Sequence, residues 1–299
     1  MSTQTQQPIL VTGASGHLGR SVLTHLLETE KFPPGKITAT TRNVSALADF
    51  AARGINIRQA DFEDITSLAA AFAGSKRLLL ISTDALDRPG QRLQQHRNAI
   101  AAAMEAGVEH IVYTSMPNPE NSPLLIAPDH EETERALAAS PLTSTILRNS
   151  WYFENLFLGL PQYLASGLWY SAAGDGRIAH IARDDLGRAA AAALASADTE
   201  NRIYNLTGPK AYSTEEIAQL VSATAGKPIQ VVPVPLAALI QGMIQTGLPE
   251  GLATVFASFD TNTAAGRVAD ITDDFLKLTG VQPQDYQDWL ATNRANIAG

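Results

Sequence analysis

The chain has no cysteine. That excludes disulfides, thiolate nucleophiles and cysteine-built metal sites. It also fits a reducing compartment. Positive charge is in short supply: 22 Lys and Arg face 30 Asp and Glu, a formal net charge of −8. An acidic surface repels phosphate backbones, so nucleic acid is not an expected partner. Long hydrophobic runs are missing too. The most apolar late stretch, "IQVVPVPLAALIQGMI", holds Pro233, Pro235 and two glutamines, and does not read as a membrane span. The opening "MSTQTQQPILVTG" has no basic n-region and no long apolar segment before the first strand, so no signal peptide is expected. These absences together predict a cytoplasmic location. Internal repeats and low-complexity linkers are also lacking.

What is present is a core-forming composition, 45% hydrophobic over 299 residues. That length accommodates one large α/β domain with a smaller appended lobe. Short apolar runs alternate with helical patterns. "PILVTG", "KITATTRN", "INIRQADF", "RLLLIST", "EHIVYTS", "TSTILRNS" and "RIYNLTG" read as strands. "GRSVLTHLLETE", "VSALADFAARG", "ITSLAAAFAG", "QRLQQHRNAIAAAMEAG", "TERALAAS" and "DDLGRAAAAALASA" read as the helices between them. Such alternation predicts a doubly wound parallel sheet. "STEEIAQLVSATAG" opens with Ser213 and Glu216 at capping-box spacing. The last hundred residues read as mostly helical, broken by Pro and Gly. We therefore expect a nucleotide-binding domain over 1–210, with 150–180 contributing to a cleft, and a smaller substrate lobe over 211–299.

"VTGASGHLG" places Gly13, Gly16 and Gly19 between the first strand and the first helix. Such a turn needs positive φ, close approach to a pyrophosphate, and tight helix–strand packing. The helix N-terminus then offers free N–H groups to a diphosphate. The spacing is one residue longer than the common dinucleotide fingerprint, but the βα context supports the reading. The fold expected is thus a Rossmann-type α/β sheet. NAD selectivity uses an acid at the end of the second strand. Here that strand ends "TTRN". Arg42 can instead pair with a 2′-phosphate, with Thr40 and Thr41 as helpers, so NADP (as NADPH) is the expected cofactor. Asp61 and Phe62 sit where an adenine would lie. Asp61 reads equally well as a helix cap in "DFEDITSL".

"VTGASGHLG", "RQADFED", "LLLIST", "QHRN", "YTS", "HEETE" and "LRNSWYFEN", in this order, resemble the NmrA-like family of atypical short-chain dehydrogenase/reductases. Within it the chain is similar to type-2 NAD(P)H:quinone oxidoreductases, with triphenylmethane dye reductases a near relative. The resemblance implies a Rossmann domain, a small C-terminal lobe, a cleft between them and NADPH-dependent reduction of quinones. It implies that Gly13, Ser15, Gly16, His17, Leu18 and Gly19 hold the pyrophosphate and that Arg42 meets the 2′-phosphate. Ser82 and Thr83 would flank the adenosine ribose. Asn149, Trp151, Tyr152, Phe153 and Glu154 would line the nicotinamide and quinone end. The connection "DALDRPGQRL" is longer than the family's usual one, which leaves substrate scope open there.

No tyrosine has a lysine four residues later, so the usual short-chain dehydrogenase acid is missing. His130 is the best-placed general acid by residue type. "PDHEETERAL" also reads as a helix start, with Asp129 as N-cap, Glu132 at the third position and His130 an exposed first-turn residue. A metal site of His130 with Glu134 finds no further ligands in the sequence, and none is expected. Hydride addition to a quinone gives an anion stabilised by its ring, so positioning matters more than acid strength. Trp151, Tyr152 and Phe153 offer walls, and Asn149 and Tyr152 donors. The same aromatics also suit a seam between domain and lobe. Ser115, ending the fifth strand, is expected near the nicotinamide as a donor. No G-x-S-x-G elbow surrounds it, so it is not read as a nucleophile. Two other readings stand beside the quinone reductase: an NAD(P)-binding redox-sensing regulator without turnover, and a reductase of dyes or other conjugated acceptors. Oligomeric state is left open, a homodimer included.

Overall fold

A computed structural model describes residues 4–86 and 88–298. The reading of the N-terminus over 1–3, and of the lengthened connection at Asp87, therefore lies in part outside the described residues.

Seven strands form one parallel sheet in the order β3-β2-β1-β4-β5-β6-β9. They are β1 (Ile9–Val11), β2 (Ile37–Thr41), β3 (Asn56–Gln59), β4 (Arg77–Leu80), β5 (His110–Ser115), β6 (Thr143–Asn149) and β9 (Arg202–Leu206). Strands β1, β2, β4 and β5 are buried along their whole length, as expected for apolar runs covered on both faces. The intervening helices are α1 (His17–Glu28), α2 (Ala48–Ala51), α3 (Ile65–Phe72), α4 (Gln91–Glu105), α5 (Ala127–Ala138) and α7 (Arg183–Ala195). One face packs Val22, Leu23 and Leu26 of α1 and Leu186 and Leu194 of α7 against the sheet. The other packs Leu68 and Phe72 of α3 and Ala99 and Ile100 of α4. Arg77, 2% exposed, satisfies the end of α7 by donating to the carbonyls of Ala193 (3.1 Å), Leu194 (3.1 Å) and Asp198 (2.8 Å). The strand order reverses at β1, which lies between β2 and β4. The carboxyl ends on either side of that reversal are the place where such sheets bind ligands.

The doubly wound sheet expected from the alternation is present. Two helices differ from their sequence patterns. The helix read over "VSALADFAARG" is a 3-10 turn, Val44–Leu47, followed by the one-turn α2. The fifth helix starts at Ala127 with Pro128 in its first turn, two residues before Asp129. Proline is favoured there because its missing N–H has no intrahelical partner to lose.

The lobe comprises α6 (Leu156–Ser166), β7 (Leu168–Ser171), β8 (Arg177–Ile178), β10 (Tyr212–Ser213), α8 (Thr214–Ala225), β11 (Gln230–Pro233), α9 (Leu236–Gln245), α10 (Glu250–Ala264), α12 (Tyr286–Thr292) and α13 (Arg294–Ala298). The capping box of Ser213 and Glu216 forms as the spacing predicts. Two small sheets, β7 with β11 and β8 with β10, were not legible in the sequence. Strands this short carry no period of their own. Phe153, Tyr212, Ile217, Tyr286, Trp289 and Leu290 form the lobe's core. The lobe is thus drawn from both sides of α7 and β9. Helix α11 (Asp274–Thr279) returns to the main domain, where Phe275 is fully buried beside α7. Among the described residues, no helix is long and apolar enough to cross a membrane.

Candidate cofactor cleft

The glycine loop turns at Gly13, whose φ is +58°. A Cβ on Gly19 would lie 2.5 Å from the carbonyl oxygen of Gly13 and 2.7 Å from Cα of Ala14. Only glycine allows the helix this close to the loop. Helix α1 begins at His17 after N-cap Gly16, with no side-chain cap and no acid in its first turn. Ser15, Gly16 and His17 are exposed, whereas Leu18 is anchored in the core. The result is a fixed, uncapped helix N-terminus open to an anion. Thr41 at the end of β2 donates to Ser15 Oγ at 2.9 Å and ties the two ends together.

Arg42 follows, exposed, and pairs with no described residue. Thr40 and Thr41, expected to help it, are buried, and the Thr41 hydroxyl is spent on the loop. Asp61 is not the cap of α3. Asp64 is, accepting from the amides of Thr66 (3.0 Å) and Ser67 (3.2 Å). Asp61 turns the preceding loop by accepting from Glu63 N–H at 3.0 Å. Phe62 is half-buried, its carbonyl held by Asn98 Nδ2 at 2.9 Å. The glycine loop, Arg42 and the Asp61–Phe62 turn therefore line up along the carboxyl ends of β1, β2 and β3.

Beyond β4, Ser82 N–H donates to Thr114 Oγ1 at 2.8 Å. The backbone of Thr83 is clamped twice: its N–H donates to His96 Nε2 (3.0 Å), and its carbonyl accepts from Arg92 Nε (2.8 Å). Arg92 Nη2 lies 2.9 Å from His130 Nε2. A guanidinium can only donate, so that ring nitrogen is an acceptor. The proton of His130 is then on Nδ1, 2.9 Å from the Tyr113 hydroxyl. His130 was expected either as an acid or as an exposed first-turn residue. It is 4% exposed and both its nitrogens are engaged. Burial, reinforced by Arg92 and His96, holds it neutral well below the ordinary histidine range. Burial likewise pulls His96 down to about 3.

Arg92 is the residue that sequence reading missed. It is 5% exposed, and its Nη1 is buried without a partner, as are Thr83 Oγ1 and Asn149 Oδ1. The available signal was its four-residue spacing from His96, which puts both on one face of α4.

Asp129 is not the N-cap of α5; the N-cap is Ile126, which makes no side-chain cap. Glu132 pairs with Arg135 (2.7 Å) rather than reaching back to the cap. Glu134 accepts from the Ser115 hydroxyl at 2.5 Å and from Arg148 at 2.7 and 3.1 Å. Ser115 therefore ends in an ion-pair network. Metal-type groups of three or more His, Asp or Glu are not found among the described residues.

The segment after β6 divides. Asn149 is 5% exposed, and among the described residues its Oδ1 is buried without a partner. Burial raises the Tyr152 pKa, partly offset by Arg183 and Arg92, so the phenol stays protonated and able to donate. The Arg183 guanidinium lies 5.3 Å from the Tyr152 ring centre. Trp151 stacks edge-on with Phe259 of α10 at 5.0 Å, with its Nε1 unpartnered. Phe153 was expected as a cleft wall. It is 1% exposed, packed on Tyr286 (4.6 Å) and Trp289 (5.6 Å), and belongs to the lobe core. Glu154 caps α7 by accepting from Arg183 N–H at 3.0 Å.

The NmrA-like family profile matches residues 5–290. Quinone oxidoreductase 2 of Escherichia coli is 39% identical over 272 residues, which cover 91% of this chain and 93% of that protein. The structure of an Escherichia coli NADPH-dependent quinone oxidoreductase complexed with NADPH superposes with a TM-score of 0.89 at 37% identity, covering 95% of this chain and 99% of that one. Citrobacter sp. triphenylmethane reductase complexed with NADP(H) gives a TM-score of 0.86 at 32% identity, covering 97% and 99%. From the glycine loop to the lobe, the chain belongs to the NmrA-like family.

Proposed function

We propose that this protein is an NADPH-dependent quinone reductase. When bound, the reduced nicotinamide supplies a hydride, two electrons at once, to the acceptor. The chain's own groups fit that cofactor. Gly13 to Gly19 leave room and free amides for the diphosphate, and the unpaired Arg42 suits a 2′-phosphate. Asp61 and Phe62 border the adenine position. Ser82 and Thr83 lie along the ribose, with the Thr83 backbone fixed by Arg92 and His96. Asn149, Trp151 and Tyr152 meet the acceptor end.

One observation carries the acceptor class: among the described residues of the cleft, none has a side chain poised to give up a proton near neutrality. The Tyr/Lys acid is missing from the sequence, and His130 is buried, neutral and engaged at both nitrogens. Reduction of a simple ketone creates a strongly basic alkoxide and needs such an acid. Reduction of a quinone creates a phenolate-type anion, which water can protonate later. The likeness to quinone oxidoreductase 2 supports the same acceptor. A dye reductase also needs no acid, and the likeness to triphenylmethane reductase supports that second reading.

The test is NADPH absorbance with purified protein and benzoquinone. Consumption above the uncatalysed background is expected. Tight NADPH binding with no consumption would support the regulatory reading instead.

A further inference from the structure

A cavity of about 350 Å³ lies where the ends of β6 and β9 meet the loop after β5 and the segment leading into α11. That volume suits a small molecule. None of the residues assigned above to the cofactor or the acceptor lines it. Side chains alternate along an extended chain, so Arg148 and Ser150 line the cavity, whereas Asn149 between them does not. Hydrogen bonds fix its walls. Ser150 N–H donates to the Leu206 carbonyl (2.9 Å), Thr272 N–H to Thr207 Oγ1 (3.0 Å) and Asn118 Nδ2 to the Arg267 carbonyl (2.9 Å).

Two cations line this cavity, Arg148 and Arg267, and Glu120 holds both. Its carboxylate accepts from Arg148 Nη2 at 2.5 Å, and its main-chain carbonyl accepts from Arg267 Nη2. The two guanidinium groups are thus kept within the span of one residue. Arg148 also gives its Nε and Nη2 to Glu134, at 3.1 and 2.7 Å. In each arginine Nη1 is left without a partner among the described residues, and neither of these nitrogens is sealed from solvent. The Ser150 hydroxyl, in the same wall, is buried and also unpartnered. Groups left unmet around one cavity mark a place that a ligand completes.

The lining also says which ligand. Guanidinium N–H groups held side by side match the two oxygens of a carboxylate. Pro117, Val268 and Ile271 add an apolar surface, with Ile271 54% exposed. Asp270 lines the cavity too and is exposed. Together with Glu120 it opposes multiply charged anions, while water screens it against a single charge. We propose that this cavity binds a small organic monocarboxylate, its oxygens on Nη1–H of Arg148 and Arg267 and its apolar body against Val268 and Ile271. The site shares no residue with the cofactor cleft, so it stands or falls independently of the quinone reading.

Calorimetric titration of NADP⁺-saturated protein with benzoate tests it, the cofactor being bound first in its own cleft. Saturable binding is expected. Arg267→Gln removes one cation and leaves the ion pairs of Arg148 in place, and should weaken benzoate about tenfold or more. Ile271→Asp alters an exposed side chain and should weaken benzoate by like-charge repulsion. Benzamide, the neutral isostere, and inorganic phosphate should each bind about tenfold more weakly than benzoate, or worse. Absence of saturable benzoate binding overturns the proposal. So does unchanged benzoate affinity in either variant, which places the ligand elsewhere, the acceptor end of the cleft included. Benzamide binding as tightly as benzoate overturns carboxylate recognition, and phosphate binding as tightly overturns the preference for a single charge. Should Arg267→Gln fail to fold, Ile271→Asp still decides the location.

Discussion

Arg92 Nη2 and His130 Nε2 lie 2.9 Å apart, and this contact sets the protonation of the histidine. Because arginine only donates, His130 is neutral with its proton on Nδ1, directed to Tyr113. The activity should therefore show no histidine limb from His130 between about pH 6 and 8. His130→Gln should leave the shape of the kcat profile unchanged, although the rate falls because Arg92 loses a support. A limb near the usual histidine pKa that vanishes in His130→Gln would restore the acid role.

Among the described residues Arg42 has no partner, so removing its side chain costs none of the contacts described. Arg42→Ala should weaken NADPH binding by about 1–3 kcal/mol and leave NADH nearly untouched. Thermal stability should stay at the wild-type value. Fluorescence titration with both cofactors checks it, and equal losses would remove Arg42 from the 2′-phosphate site.

Gly19 lets α1 approach the backbone of Gly13 and Ala14. A methyl group there meets main chain, which cannot swing aside. Gly19→Ala should destabilise the fold by about 1–3 kcal/mol. It should also weaken both nicotinamide cofactors together, unlike Arg42→Ala. Denaturant unfolding and titration read the two effects.

Histidines 96, 110 and 130 are buried neutral, with His96 and His110 pulled to about 3 by burial and His130 well below its ordinary value. Their pKa is lower folded than unfolded. The stability they confer is complete above about pH 6.5 and is lost as pH falls below it. Each should contribute a slope of roughly 1.4 kcal/mol per pH unit in that window. His110 bonds Thr143 (2.8 Å) and Thr145 (3.0 Å), away from the cleft. His110→Asn should remove about one proton's worth of that slope without changing turnover. Urea unfolding at pH 7.5, 6 and 5 measures it.

Glu134 joins Ser115 to Arg148, and the side chains of both ion-pair partners are only 12–13% exposed. Removing the carboxylate leaves Arg148 with Glu120 alone. Glu134→Ala should cost about 3 kcal/mol of stability. A rate loss without a stability loss would instead assign Glu134 to the chemistry.

The sequence by itself determined the architecture and pointed to the glycine loop and Arg42 as the proposed phosphate end. Apolar runs at strand length, alternating with helical stripes, admit only a parallel sheet with helices on both faces. Gly13, Gly16, Gly19 and Arg42 are local signals, because a glycine turn after one strand and a cation after the next can be read from neighbouring residues alone. Absences were equally readable: without a Tyr/Lys pair, the usual acid is gone in any fold. The tertiary structure decided the acceptor end. His130, Arg92, Tyr113 and Thr83 come from four separate segments, and their protonation states follow from mutual distance and burial. No local pattern encodes either quantity. The same holds for Phe153, which reads as a cleft aromatic by position but is claimed by Tyr286 and Trp289, more than a hundred residues away. Local structure follows from neighbours in the chain, whereas charge and exposure follow from neighbours in space.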